Sequence, residues 1–386
     1  MTSNLKVIKD KFIEVFSSKP ILVKSPGRVN IIGEHTDYNG GFVLPAAVDK
    51  SIDFAILPSG SKQCKMYAFD LDEYHEFEID NPIQSKKQWP NYLMGVVDEL
   101  KNAGYEPSGF NCVFGGNVPS GAGMSSSAAI EGGLAFALNH IFDLGIKKID
   151  LVKFAQKAEN NFVGVNCGIM DQFINIFGED KKLLKIDCRS LDYEYVPFEK
   201  EDLRIVLCNT MVTHSLASSE YNVRRLQCEE GIKLLAGLNP EIKSLRDVSK
   251  EFLFEHKDKF DPLIFQRCKY VVEENIRLKN ACEYFAKGDF TSAGEMMNQS
   301  HYGLSKEYEV SCKELDFLAE AAQKIEGVLG SRMMGGGFGG CTINLVEDKF
   351  TESFTKTISE KYFSEFNVKP EIYISKIEQG TRIIEN

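Results

Sequence analysis

The chain lacks several features that would each have assigned it a class. No Cys-x-x-Cys pair occurs among its ten cysteines, which lie scattered at positions 64, 112, 167, 188, 208, 228, 268, 282, 312 and 341. A zinc knuckle or dithiol redox motif is thereby excluded. Positive charge is in deficit, with 45 Lys+Arg against 56 Asp+Glu and a net charge of −11. That balance excludes nucleic-acid binding driven by phosphate neutralisation, although one locally positive site could still hold an anionic nucleotide. No apolar run approaches the roughly 18 residues of a membrane span, so no membrane association is expected. The first residues alternate charge with apolar side chains and show no hydrophobic signal region, so no signal peptide is expected. Cys112 and Cys208 sit within apolar strand-like runs, where reduced cysteine behaves as a small hydrophobe. A reducing, cytoplasmic location follows. There is no Walker loop, no repeat of 20–50 residues and no low-complexity tract.

What is present suits a large globular protein. At 386 residues, 43% apolar and 26% charged, the chain can form two domains or one large one with ample core. Leu5, Ile8, Phe12 and Val15 recur at helical spacing until Pro20. Short strand-like runs split by Gly, Pro and Asp then continue to about Ile79. Trp89 to Ala103 reads as an amphipathic helix stopped by Gly104, and further helices are predicted over Asp150 to Val163 and Ile169 to Phe177. Strands are expected at Leu183 to Asp187 and Leu203 to Asn209, with a polar, turn-rich domain boundary between them at DCRSLDYEYVPFEKED. The second half reads as mostly helical from Ser219 to Lys287 and again from Cys312 to Ile325. Strands VLGSRMM and CTINLV, a helix and the strand EIYISKI follow. Helices with flanking strands imply an α+β fold.

The stretch from Asn117 to Glu131, NVPSGAGMSSSAAIE, lies between an apolar strand-like run and an Ala/Leu-rich helix. Glycines let a backbone approach a ligand closely, and a helix starting just after them offers free N–H groups and a positive dipole end to an anion. A glycine turn followed by a serine cap is the plainer alternative.

Two further stretches are dense in polar residues or glycine. Ser25 to Pro45 packs Arg28, Glu34, His35 and Asp37 beside Gly33, Gly40 and Gly41. A hairpin turning at Asn39-Gly40 accounts for the glycines but not for the carboxylates and imidazole, which suit hydrogen bonding to a polyol. Arg332 to Thr342, RMMGGGFGGCT, contains G-x-G-x-x-G at Gly335, Gly337 and Gly340. Because CTINLV reads as a strand and not a helix, a dinucleotide site is not implied. A glycine turn approaching the phosphate loop or a sugar is the better reading.

With PGRVNIIGEHTDYNGG (Pro26 to Gly41), the glycine–serine loop and MMGGGFGGCT (Met333 to Thr342) taken together, the chain resembles the galactokinase family of the GHMP small-molecule kinases. CGIMDQF (Cys167 to Phe173) and SLASSEYNVRRLQCE (Ser215 to Glu229) extend the likeness over nearly the whole length. The resemblance implies a two-domain α+β fold. A mixed-sheet N-terminal domain (1–190) and a helix-rich C-terminal domain (200–386) would hold the active site in the cleft between them. It implies transfer of the ATP γ-phosphate to the C1 hydroxyl of α-D-galactose with Mg²⁺, the first committed step of the Leloir pathway, by a monomer. Glu34, His35, Thr36, Asp37, Gly168 and Tyr221 would hold the sugar. Gly121, Ala122, Gly123, Met124, Ser125, Ser126 and Ser127 would wrap the ATP phosphates, and Ser127 and Glu159 would bind Mg²⁺. Asp171 would be the base beside the C1 hydroxyl, with Arg28 next to it.

Elementary chemistry is compatible with these roles. Phosphoryl transfer needs positioning and charge neutralisation above all, and Mg²⁺ needs few protein ligands because it keeps waters. By periodicity alone Glu159 suits a boundary salt bridge and Asp171 an exposed helix carboxylate. A carboxylate with a pKa of about 3.9 is a weak base for a sugar hydroxyl, and a neighbouring arginine weakens it further. Arg28 is therefore expected to stabilise developing negative charge. Adenine contacts are sought near Tyr67 to Phe69 and Trp89 to Tyr92. Rival readings are a kinase for N-acetylgalactosamine, galacturonate or arabinose, and a galactose sensor without catalysis. Such sensors lack a dipeptide of the serine-rich loop, whereas Ser127-Ala128 is present here.

Overall fold

The computed structural model describes residues 3–119, 121–165, 167–212 and 217–385. Ser120 of the glycine–serine stretch, and Ser215 and Leu216 of the segment ending at Glu229, lie outside the described residues.

Strand alternation builds the first layer. A six-stranded sheet runs in the order Arg382–Ile384, Ile21–Asn30, Pro45–Pro58, Phe110–Gly116, Gln63–Ala68 and Glu73–Glu78. Its neighbours are antiparallel except for the parallel pair Gln63–Ala68 and Phe110–Gly116. Leu22, Ala55 and Val113 form one cross-strand row under the helix Ser3–Phe16, whose Leu5, Ile8 and Phe12 are buried against them. Val23, Phe54, Cys112 and Phe114 point to the opposite face, as the two-residue period requires. There they pack with Ala129, Leu134 and Leu138 of the helix Ser126–Ile141.

A four-stranded antiparallel sheet, ordered Val328–Met333, Cys341–Glu347, Leu203–Asn209 and Glu371–Ser375, forms the second half. Lys313–Ala322 and Thr351–Phe366 cover one of its faces. On the other face Ile205, Leu207, Ile343 and Leu345 share a core with Val29, Ile31 and Leu44 from the first half. The two halves are thus joined by buried apolar surface at the base of their cleft.

Three features depart from the sequence expectations. The chain's last strand returns to pair with Ile21–Asn30 through Leu22↔Ile384 and Lys24↔Arg382, so a division at 190/200 misplaces it. The Asn39-Gly40 turn does not close a simple hairpin. Phe42–Val43 instead pairs with Lys182–Asp187, which pairs in turn with Tyr193–Pro197. Third, the helix Phe290–Tyr302 was not anticipated. Its cap is Asp289, which accepts from the Ser292 N–H at 3.0 Å, and Phe290, Ala293 and Met297 supply its buried stripe.

Candidate active site

The glycine–serine loop is shaped by positive φ. Gly121 and Gly123 have φ of 74° and 70°, and Ser125 holds φ 56°, a position where a non-glycine residue is uncommon. Ala122 and Met124 are buried with their side chains in the core between the halves. Only their backbone can therefore face a ligand. The helix Ser126–Ile141 begins directly afterwards, with first-turn N–H groups that have no intrahelical acceptor. A methyl on Gly132 would lie 2.2 Å from Asn175 Oδ1, and one on Gly133 would lie 2.4 Å from the Phe54 ring. These glycines seat the helix between the sheet and the helix Met170–Phe177.

Arg28 reaches the same point from the sheet. The register of Ile21–Asn30 against Pro45–Pro58 shifts between Pro26 and Arg28, a bulge of the kind that re-aims side chains. The Arg28 N–H leaves the ladder and donates to the Met124 carbonyl at 3.0 Å. A Cβ on Gly27 would stand 2.8 Å from that carbonyl, so the close approach needs glycine. Arg28 then forms a fork on Asp171, with Nε donating to Oδ1 at 2.7 Å and Nη2 to Oδ2 at 2.5 Å. Ser125 Oγ donates to the same Oδ2 at 2.6 Å, and Arg28 Nη1 also donates to the Gly123 carbonyl. Burial works against the Arg28 charge, and Asp171 together with Glu34 and Glu159 more than offsets it, so its pKa is raised. One turn beyond Asp171, Asn175 Nδ2 donates to Ser25 Oγ at 2.9 Å and to the Pro26 carbonyl at 2.7 Å. This buried amide, not foreseen from the sequence, fixes the aspartate's helix to the arginine's strand.

Beside the fork lies a cavity of about 250 Å³ lined by Glu34, His35, Asp37, Gly168, Asp171 and Tyr221, among others. No side chain among the described residues donates to Asp37, and burial pushes its carboxyl up to about 6. A Cβ on Gly168 would come within 2.5 Å of Asp37 Oδ2, so glycine keeps that side open. Glu34 Oε1 accepts from Arg332 Nη2 at 3.1 Å and from the Gly335 N–H at 2.9 Å. His35 borders the cavity, yet its ring nitrogens face Tyr38 Oη at 2.8 Å and the Gly336 carbonyl at 3.2 Å. Thr36 is fully buried, with Oγ1 2.9 Å from the Gly33 carbonyl and 2.5 Å from the Phe42 carbonyl, its single proton shared between them. Both bonds brace the turn, and the expectation that Thr36 meets the sugar is corrected.

A second cavity, about 530 Å³, opens between Gly121 and Gly123 on one side and the glycine run 335–340 on the other. Gly335 and Gly336 line both cavities. At Gly337, with φ 86°, a Cβ would meet the Val310 carbonyl at 2.0 Å, whereas one on Gly335 or Gly340 would meet nothing within 4 Å. The strand Cys341–Glu347 follows it, as the sequence implied. Trp89, sought as an adenine contact, is buried, and its Nε1 donates to Glu73 at 2.7 Å.

Glu159 sits in a π-helical turn, Ala158–Val163, that extends the helix Lys148–Lys157. Such turns displace a residue from the regular stripe and recur at functional sites. Burial raises the Glu159 pKa, against hydrogen bonds from Cys167, Ser127 and Gln172. Gln172 Nε2 donates to Oε2 at 2.8 Å. Behind it Glu131 is fully buried, its pKa raised well above the ordinary value by burial and by Glu159. No group of three His, Cys, Asp or Glu side chains that could hold a metal occurs among the described residues. Ser127 and Glu159 are hard oxygen donors, and two such ligands fit Mg²⁺ when phosphate and water supply the rest. Glu131, Gln172 and Asn175 escaped the sequence reading. The available signal was a polar residue inside an apolar helical stripe.

The models for the GHMP kinase N-terminal and C-terminal domains match residues 91–179 and 281–356, and the structure has that fold. A solved mevalonate kinase shares it at 17% identity with a TM-score of 0.64 over 92% of this chain. The chain is therefore a GHMP-class kinase, an ATP-dependent enzyme that phosphorylates a small molecule. The galactokinase galactose-binding signature further matches residues 10–58. Galactokinases of Fusobacterium nucleatum and Roseiflexus are 42% and 39% identical to it, over 98% of this chain and 99% and 97% of theirs. The crystal structure of Lactococcus lactis galactokinase complexed with galactose superposes with a TM-score of 0.93 at 38% identity, covering 98% of this chain and all of that one. The chain belongs to the galactokinase family and is a sugar kinase.

Proposed function

We propose that the chain transfers the γ-phosphate of ATP to the C1 hydroxyl of α-D-galactose, forming galactose 1-phosphate. The observation that carries this reading is the Arg28–Asp171 fork, which stands where a sugar-sized cavity meets the glycine–serine loop. Glu34, Asp37 and Tyr221 orient the sugar, with Asp37 accepting from its hydroxyls. Asp171 accepts the hydrogen bond of the attacking hydroxyl and takes its proton as the O–P bond forms. Three donors already rest on its carboxylate and fix its orientation toward that hydroxyl. Arg28, tied to both Asp171 and the Gly123 carbonyl, neutralises charge that develops between them. The N-terminal turn of Ser126–Ile141 holds the phosphates. Mg²⁺, held by Ser127 and Glu159, would supply charge neutralisation at the ATP oxygens.

A coupled assay of ADP release against galactose, N-acetylgalactosamine, galacturonate, arabinose and glucose tests the substrate. A second reading has one observation in its favour. A cavity of about 350 Å³ shares Asp37 and Gly168 with the sugar cavity and extends to Gln156, Cys188 and Leu191, leaving space for a substituted galactose. Preference for N-acetylgalactosamine in the panel would select it, and ADP release by no sugar would select the sensor. The reading includes a cytoplasmic monomer. For the location, all ten cysteines are free, as a reducing compartment keeps them.

A further inference from the structure

Tyr38 and Tyr308 do not line the sugar cavity, but Tyr38 is bonded to His35, which holds one of its walls, and Tyr308 is bonded to Tyr38. His35 Nε2 lies 3.2 Å from the Gly336 carbonyl and Nδ1 lies 2.8 Å from Tyr38 Oη. Tyr38 Oη is 2.8 Å from Tyr308 Oη, which is 3.2 Å from Cys228 Sγ. Burial pushes His35 down to about 3 and Cys228 up to about 11, so both are neutral at ordinary pH. A neutral imidazole carries one N–H, and a carbonyl only accepts. The proton is therefore on Nε2, and Nδ1 must accept from Tyr38. With that hydroxyl's proton committed, Tyr308 must donate to Tyr38, and the Cys228 thiol must donate to Tyr308. Each step leaves a single assignment, so the chain runs one way, from Cys228 to Gly336.

Its far end is a peptide that borders both cavities. The Gly335 N–H donates to Glu34 Oε1 at 2.9 Å, so consecutive residues 34 and 35 grip consecutive residues 335 and 336. Those two glycines line both cavities. Arg224 anchors the upstream side by donating Nε to the Tyr308 carbonyl at 2.7 Å and Nη2 to the Glu309 carbonyl at 2.8 Å.

We propose that Tyr38 and Tyr308 are positioning residues that fix the tautomer of His35. His35 and Glu34 then clamp the Gly335–Gly336 wall between the sugar and phosphate cavities. His35 on this account is a clamp for the third glycine motif and not a ligand of the sugar. The kinetic part rests on reading the cavities as sites for galactose and ATP, whereas the tautomer does not. A loosened clamp moves a wall common to both substrates, so both KM values should rise together. Loss of a sugar ligand would raise only that for galactose.

Two measurements test it. Nitrogen-15 NMR of the wild-type protein at pH 7, with His35 assigned by its absence from His35→Gln, should show the Nε2–H tautomer. The Nδ1–H tautomer or an imidazolium would overturn the chain of bonds without touching the assignment of activity. In steady-state kinetics, Tyr38→Phe should raise the KM for galactose and for ATP together by about fivefold, the scale of one neutral hydrogen bond. Tyr308→Phe should raise both by less. His35→Gln, which keeps an amide N–H for the Gly336 carbonyl, should raise both KM values less than His35→Phe, which keeps none. A rise for galactose alone, or no change in either tyrosine variant, overturns the proposal. If Tyr38→Phe does not fold, Tyr308→Phe and the wild-type spectrum still decide it.

Discussion

Replacing Asp171 by asparagine keeps the side chain's shape and removes its charge. Three donors converge on the carboxylate in the native protein, and an amide offers them one oxygen and an N–H₂ group that repels the rest. Breaking a fully buried ion pair costs about 3–5 kcal/mol. Here the side chains of Arg28 and Asp171 are 12% and 23% exposed, so solvent screening reduces that to about 1–3 kcal/mol. The variant should therefore fold, with a urea midpoint modestly below wild type. Loss of the base should lower kcat by about 10²–10⁴-fold, equivalent to about 3–5 kcal/mol of barrier. Galactose binding should survive, because Glu34, Asp37 and Tyr221 line the cavity independently of the fork. Calorimetric titration with galactose should give a Kd within about fivefold of wild type, less than about 1 kcal/mol. A kcat near normal would refute the role of Asp171. Abolished galactose binding in a folded variant would refute the division of labour between fork and sugar cavity.

Three other perturbations follow from the same geometry. Burial sets the Asp37 carboxyl at about 6, and its ionised form is the one that accepts sugar hydroxyls. The KM for galactose should thus rise as pH falls through 6, and Asp37→Asn should flatten that rise at a uniformly weaker affinity. In Gly27→Ala a methyl would press the Met124 carbonyl from 2.8 Å, a backbone atom that cannot swing aside. Urea unfolding should register about 1–3 kcal/mol of overpacking, and the displaced loop should lower kcat/KM for ATP. Asn175→Leu should take the amide donor from the Pro26 carbonyl and leave Ser25 Oγ with Thr381 Oγ1 as its partner, costing about 1–3 kcal/mol by the same measurement. Destabilisation below about 1 kcal/mol would mean the Asn175 bonds do not tie helix to strand.

The parts of the site written in local sequence were readable, and those written in long-range contact were not. Gly121, Gly123 and the serines announce a loop and helix start because turn chemistry acts over a few residues. Asp171 could be placed at the edge of its helix, but nothing nearby in sequence says that Arg28, 143 positions away, forms a fork with it. That pairing depends on a bulge at Pro26 to Arg28 that periodicity does not register. Glu159 was expected within a regular helix and lies in a π turn, a one-residue insertion that leaves apolar spacing almost unchanged. Thr36 looked like part of a sugar-binding cluster because its neighbours are polar. Its own hydroxyl is spent on Gly33 and Phe42, and only tertiary structure separates those outcomes. The final strand pairs with the first, and no local pattern encodes a partner so far away.

The central claim is that one carboxylate–guanidinium fork aligns an anomeric hydroxyl with an ATP phosphate. Phosphorus-31 NMR of a reaction containing the protein, Mg²⁺, ATP and α-D-galactose tests it most directly. The account predicts a product phosphorus coupled to the anomeric proton, appearing with ADP in equal amounts. Phosphate on another hydroxyl, or ADP formed at the same rate without galactose, would contradict it.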